Sequence, residues 1–261
     1  LEGIVRLSAF FGIFLIMAIW EIYAPRRQLA DSRWQRWSTN ISLSILNILI
    51  IRFTVGAAAL LAAVSAHDHG WGLLNVLALP NWLIIILTLV LLDLAIYGQH
   101  LASHKWRWLW QLHKIHHTDQ EFDVTTAVRF HPLEIIISMC YKVLLIYFIG
   151  ANPLAVIAFE IILSSCALFN HSNVRIPLSI DKIVRLILVT PDMHRVHHSV
   201  IKSETDSNYG FSISIWDRLF ATYTDQPRDG HDNMEIGLTE YRHKKDVRFE
   251  RLLLMPFSRR R

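Results

Sequence analysis

Fourteen of the 261 residues are histidines, and eight of them fall in three tight clusters. These are His100-x-x-x-His104, His113-x-x-His116-His117 and His194-x-x-His197-His198. Residues three or four apart share a helix face, so His100 with His104, and His113 with His116 or His117, can grip one ion. The adjacent histidines at 116–117 and 197–198 point about 100° apart on a helix, which suits a cluster that must reach two ions. Eight imidazoles brought together would repel one another if protonated, whereas a bound metal keeps them neutral. A single histidine near a membrane surface is ordinarily just an interfacial residue. Two HxxHH boxes and an HxxxH in one chain outweigh that reading. Imidazole ligation without cysteine suits iron, zinc, copper or nickel. A structural zinc needs four ligands, so eight or more imply two ions. Cys140 and Cys166 are the only cysteines and lie in apolar runs, which excludes a disulfide scaffold and a Cys-ligated zinc or iron–sulfur site. H-E-x-x-H, G-x-S-x-G, a P-loop and a Rossmann glycine fingerprint are all absent.

The elements that must position these clusters are apolar. Hydrophobic residues make up 52% of the chain and charged residues 18%, against roughly 25% in soluble domains, which excludes disorder and disfavours a soluble globule. Five stretches approach the roughly 20 apolar residues that a crossing helix needs: about 4–23, 41–64, 82–99, 133–150 and 153–170. The first is too long for a signal peptide and lacks a small-residue cleavage site. The chain starts at Leu1 rather than Met, leaving room for residues upstream. Residues 24–40 carry Arg26, Arg27, Arg33 and Arg36 against Asp31, and 101–131 carry Lys105, Arg107, Lys114 and Arg129. The loop 65–80 and the turn 150–152 carry no Lys or Arg, while the chain beyond 171 is polar and Arg-rich. By the positive-inside rule 24–40, 101–131 and 171–261 are cytoplasmic. Spans two and three then form one hairpin, and four and five another. The expected fold is an all-α polytopic membrane bundle, of about five spans or else four, with a cytoplasmic helical, histidine-rich metal-binding cap. It reads as one domain over 1–261, with a motif-bearing core at about 93–237 and a basic cytosolic tail at 238–261. The net charge of +4 fits cytoplasmic loops beside anionic lipid, not nucleic-acid binding. His67 and His69 fall on the side opposite the boxes. His231 and His243 lie in the polar tail and are expected to be solvated.

Around the boxes stand TTAVRFHPLE (125–134), NHSNVRIP (170–177), TPDMHRVHHS (190–199) and NYGFSISIWDRLFATY (208–223). With the boxes in order and at matching separations, the chain from about Asp93 to Gly237 resembles the fatty acid hydroxylase/sterol desaturase superfamily of integral-membrane di-iron enzymes. It looks closest to the bacterial sterol-desaturase-like branch, which is also similar to alkylglycerol monooxygenase. One departure is ATY at 221–223, where many relatives have Gly-Thr. The resemblance implies two iron ions held by eight to ten histidines: His100, His104, His113, His116, His117, His194, His197 and His198 from the boxes, and His171 as an additional ligand. For His171 a helix cap or interfacial role is the competing reading. His131 stands as a tenth ligand or as a donor behind the ligands. A ligating imidazole usually gives its other N–H to a carboxylate or carbonyl. Asp93, Glu134, Asn170, Asn173, Asp192, Asn208 and Asp217 are candidates for that role. Asp192 can equally cap the helix carrying the third box, and Asn208 and Asp217 can simply make turns.

The implied chemistry is O2-dependent hydroxylation or desaturation of a C–H bond in a lipid that stays in the bilayer. O2 would be co-substrate, and electrons would come from a ferredoxin or a cytochrome b5-type donor with its reductase. Zinc competes well for imidazole sites and can take the place of iron in a purified sample. The implied location is a bacterial inner membrane with the metals on the cytoplasmic side. Trp106, Trp108 and Trp110 either bound the substrate channel or form an interfacial belt, the commoner role. The alternatives are a non-catalytic metal store or transporter and a bis-histidine haem carrier. Transport calls for ionisable residues along a path across the membrane. A haem carrier needs paired histidines on facing helices, not dense boxes.

Four charges fall near mid-span: Arg52, Asp93, Lys142 and Glu160. Lys142 and Glu160 each lie nine residues from the turn at 151, about 13 Å of helix, so they share a depth. Arg52 and Asp93 are equidistant from the midpoint of the 65–80 loop. Both are expected to pair, with an alternative role for Asp93 behind the ligands, seven residues before His100.

Overall fold

The computed structural model describes residues 2–30, 32–54 and 57–258; Asp31 of the charged first loop, Val55 and Gly56 of the second span and the end of the basic tail lie outside them. The elements in chain order are α1 (Glu2–Tyr23), α2 (Arg33–Thr54), α3 (Ala58–Asp68), α4 (Leu73–Val76), α5 (Asn81–Lys105), α6 (Arg107–His117), α7 (Pro132–Ile149) and α8 (Pro153–Asn170). Six short helices follow: α9 (Leu178–Val184), α10 (Pro191–His197), α11 (Lys202–Thr205), α12 (Ile215–Leu219), α13 (Gly230–Asn233) and α14 (Phe249–Leu254). The protein is all-helical, with five candidate membrane spans.

The hairpin between α7 and α8 follows from local sequence. Gly150 ends α7 in the left-handed conformation at φ 68°, which a side chain resists, and Asn152 caps α8 by accepting from the Leu154 and Ala155 amides ahead of Pro153. Gly72 sits on this turn so closely that a Cβ there would lie 2.1 Å from the Gly150 nitrogen. Asn152 donates to Asn81 at 3.2 Å, which puts the turn and the start of α5 at one level.

The second span, expected over 41–64, runs across Val55 and Gly56, which lie outside the described residues; its described parts are α2 and α3. The first part of α2 turns Arg36, Asn40 and Asn47 onto the polar segment 119–130. In α3, Ala59, Ala62 and Ala63 pack against Ile146 and Phe159 near the far end of the bundle.

Of the two expected ion pairs one is present. Lys142 donates to Glu160 at 3.1 Å, and Arg6 lies 3.0 Å from the other oxygen of the same carboxylate. Arg52 and Asp93 do not pair. Asp93 instead accepts from the Trp216 indole N–H at 2.8 Å and the Ile213 amide at 3.3 Å. Equal depth fixes the level of two residues along the bundle, not the face of α5 that carries Asp93, and that face is turned to the segment after the third box.

Candidate metal centre

Nine histidines meet at one end of the bundle, arriving from four places. The last turns of α5 bring His100 and His104, α6 brings His113, His116 and His117, the C-cap of α8 is His171, and α10 with its C-cap brings His194, His197 and His198. Their nitrogens sort into two groups, each within 4.8 Å: His100, His104, His113, His117 and His197 in one, and His116, His171, His194 and His198 in the other. The adjacent histidines 116/117 and 197/198 divide between the groups, as an angular step of about 100° requires. The helix carrying the third box starts at Thr190, whose hydroxyl accepts from the Met193 amide, with Pro191 in the first turn.

Four rings are held by their second nitrogen. Nδ1 of His100 donates to the Tyr209 carbonyl at 2.8 Å, that of His197 to the Ser207 carbonyl at 2.7 Å, and that of His171 to the Ala167 carbonyl at 2.8 Å. Nδ1 of His113 stands 2.6 Å from the Glu134 carboxylate. A carbonyl can only accept, so Nδ1 carries the proton and Nε2 presents its lone pair. Nε2 of His100, His104, His113 and His197 is buried with no hydrogen-bond partner, and His117 and His198 have both nitrogens in that state. In the second group Nε2 of His171 lies 3.0 Å from that of His116 and 3.1 Å from that of His194. Donors bound at about 2.1 Å and at right angles around one ion stand about 3.0 Å apart. Orphaned nitrogens converging at this spacing fit two metal ions.

Burial, reinforced by the neighbouring imidazoles, drives the protonated forms out. His116, His117, His194 and His198 are held well below the usual imidazole range. Burial likewise takes His197 down to about 3 and His171 to about 4, against the pull of their carbonyl partners. Neutral imidazole is the ligating form.

The other candidates sort by contact. Asp217 reaches the centre indirectly: it accepts from the Tyr209 and Gly210 amides at 2.7 and 2.8 Å and so fixes the peptide whose carbonyl holds His100. Burial pushes its carboxyl up to about 6, opposed by these bonds and by the Thr222 hydroxyl. Asn208, at φ 52°, donates to the Met193 and Thr224 carbonyls, joining α10 to the chain beyond α12. Asn170 donates to the Phe211 carbonyl. Asn173 bonds the Arg27 backbone in both directions. Asp192 pairs with Arg195 and with Arg26, at 3.2 Å, and so ties α10 to the end of α1. His131 lies outside both groups; it caps α7 through Nδ1 and meets the Leu253 carbonyl through Nε2. His67 and His69 are exposed at the end of α3, away from both groups. His231 is buried 3.7 Å from Asp192 instead of being solvated, because the tail folds back over α10. Trp106 and Trp108 are exposed, whereas the Trp110 ring lies 5.1 Å from His104. The partners that the sequence hid are Ser207, Tyr209 and Ala167, which act through backbone oxygens and leave no side-chain signal. Glu21 was missed too; it accepts from the Val124 and Asn173 amides and locks α1 to the histidine layer.

A cavity of about 720 Å3 opens between α1, α2, α5, α7 and α8. Its lining runs from His100 and Phe211, through Phe10, Ile96 and Leu163, to Lys142 and Glu160. Long apolar helices around such a cavity, with His100 of the first histidine group in its wall, define an integral-membrane protein with an oily chamber beside a candidate metal centre. Residues 85–222 match the fatty acid hydroxylase family, and the chain belongs to that family, whose members are oxidoreductases. It is 29% identical to the ornithine lipid hydroxylase OlsE of Rhizobium tropici over 76% of this chain and 56% of that protein. Against alkylglycerol monooxygenase of Homo sapiens the identity is 31% over 56% of this chain and 31% of that protein. Against cholesterol 25-hydroxylase of Rattus norvegicus it is 23% over 53% and 46%. The chain thus spans between 31% and 56% of the length of these curated relatives. No solved structure matches it.

Proposed function

We propose that this protein is an O2-dependent di-iron hydroxylase of a membrane lipid, with desaturation as a second outcome of the same C–H oxidation. The observation that carries the reading is the junction of the first histidine group with the cavity: His100 belongs to that group and also lines the chamber. His100, His104, His113, His117 and His197 would hold one iron, and His116, His171, His194 and His198 the other. Bound there, iron supplies O2 reduction and the oxidising power to break an unactivated C–H bond.

The chain's own residues do the rest. The Tyr209, Ser207 and Ala167 carbonyls and Glu134 orient four of the ligating rings, and Asp217 holds the Tyr209 peptide in place. The apolar walls admit an alkyl segment from the bilayer and exclude water from the reacting carbon. Relatives named for an ornithine lipid, alkylglycerols and cholesterol support an amphiphile with a long hydrocarbon portion as the substrate class. The positive loops support a cytoplasmic metal centre, reached by a ferredoxin or cytochrome b5-type donor with its reductase.

The test is lipid profiling of cells with and without the gene, with and without oxygen, followed by 18O2 labelling with the iron-loaded protein. The expected result is one new hydroxylated or unsaturated lipid, with 18O in any hydroxyl, absent without O2. An unchanged lipid profile in iron-replete, aerated cells would overturn the reading.

A further inference from the structure

The segment after α8 is inside-out for a soluble surface. In α9 and the turn after it Asp181 and Arg185 are buried and paired with each other, Arg185 also reaching Asp225, while Lys182 is the one exposed charge. The aliphatic residues Ile180, Ile183, Leu186 and Ile187 face outward, Ile183 and Ile187 being 68% and 67% exposed. The neighbouring α12 repeats the pattern: Asp217 and Trp216 are buried, while Ile215, Leu219 and Phe220 are exposed. The two runs are one surface. Leu188 and Ile213 form a bridge, the Val189 amide donates to the Ser212 carbonyl, and the Ser214 hydroxyl donates to the Arg185 carbonyl. Water would favour the opposite arrangement, and an exposed apolar patch of this kind marks a contact with something oily.

The depth of the patch names the occupant. Asp93, which accepts from Trp216 and Ile213, lies seven residues before His100 on α5, about 10 Å toward the middle of the span. Counted from Asn81, level with the α7–α8 turn, Asp93 is about 18 Å along a helix whose apolar belt must match a hydrocarbon layer of about 30 Å. Phe220 stacks on Tyr97 at 5.3 Å, at an intermediate level. The segment therefore descends below the histidine layer alongside α5. The stretch 178–188, eleven residues with Asp181, Lys182 and Arg185 set among its aliphatic residues, is too short and too polar to cross, which suits an interfacial or re-entrant element. Exposed Trp106 and Trp108, at the junction of α5 and α6, suit the adjoining headgroup level.

We infer that 178–188 and 213–220 form a wedge buried in the lipid on the histidine-bearing side of the membrane, so that part of the chain after 171 is embedded and not cytosolic. Buried polar groups in such a wedge must be satisfied within the protein, which is why Asp181 pairs with Arg185 and why Trp216 and the Ile213 amide both turn to Asp93, whereas the long stem of the exposed Lys182 lets its ammonium reach the headgroup level. The wedge seats the chain that carries Tyr209, the carbonyl partner of His100, and Phe211, a wall of the cavity.

Spin labels on single cysteines test this. Cys140 and Cys166 are replaced by Ala, and labels are placed by Ile183→Cys, Ile187→Cys and Leu219→Cys in metal-loaded protein in nanodiscs. Leu144→Cys on a span and Arg228→Cys on a solvent-facing loop serve as references; both residues are about 70% exposed. Collision rates are measured with O2, which concentrates in hydrocarbon, and with a neutral nickel chelate, which stays in water. The expected O2-to-nickel ratio at 183, 187 and 219 is about tenfold or more above that at 228 and close to that at 144. A ratio like that at 228 would overturn the wedge, as would low collision rates with both reagents, which would mean that another protein covers the face.

Discussion

Two regions of this bundle bury polar groups at the same end, and they do so in opposite ways. In one, Arg36 bonds Asp119 and Asp123, Asn40 bonds Asp119 and Thr125, and Arg129 donates to Asn40, Thr118 and the Ile115 carbonyl. Donors meet acceptors and cation meets anion, so the network is closed. In the other, nine imidazoles converge with most of their inward nitrogens unpartnered. A closed network stabilises a fold; an open one waits for a ligand. The difference in satisfaction, not in burial, separates the structural polar region from the candidate site.

The comparison is sharpest in what each region should lose. Replacing any of the nine histidines by Ala is expected to lower lipid oxidation about 100-fold or more, with loss of metal measured per folded protein. Full activity for His171→Ala would remove it from the second group. Arg36→Met should instead cost about 3–5 kcal/mol of stability, because it strands Asp119 and Asp123 in the interior. The protein that still folds should keep its metal content, and metal loss without a fall in thermal stability would erase the distinction between the regions.

Smaller effects are expected one bond away from the ligands. Glu134→Gln and Asp217→Asn should weaken metal affinity about 10- to 100-fold without changing the helical content, as read by chelator competition and circular dichroism. An unchanged affinity would leave Asp217 as a turn-former only.

Acid should act on the open region first. In the metal-free protein the buried histidines titrate below their unfolded value, His171 near 4 and His197 near 3. Below about pH 6.5 the unfolded chain therefore binds more protons than the folded one, so stability is full above that pH and falls as the pH drops toward 4 and below. Thermal melts of metal-free protein between pH 8 and pH 5 should show this fall. A flat profile would mean that the rings are not packed as described. At the small end, His67→Ala and His69→Ala at the end of α3 should leave metal content and activity unchanged.

Much of this was legible in one dimension, and the exceptions share a cause. The sequence alone carried the three boxes, His171, the apolar spans and the Lys142–Glu160 pair, because helical spacing and chain reversal at a tight turn convert sequence distance directly into spatial distance. It could not place Asp93, since depth arithmetic says nothing about which face of a helix a neighbour will cover. The arginines after 171 carried no sign that Arg185 turns inward to Asp181 and leaves the aliphatic residues outside. The carbonyls of Ser207, Tyr209 and Ala167 hold three of the rings, and every residue has a carbonyl. Local geometry is written in side-chain order, whereas partners distant in sequence and the backbone groups that meet them are decided only when the helices pack.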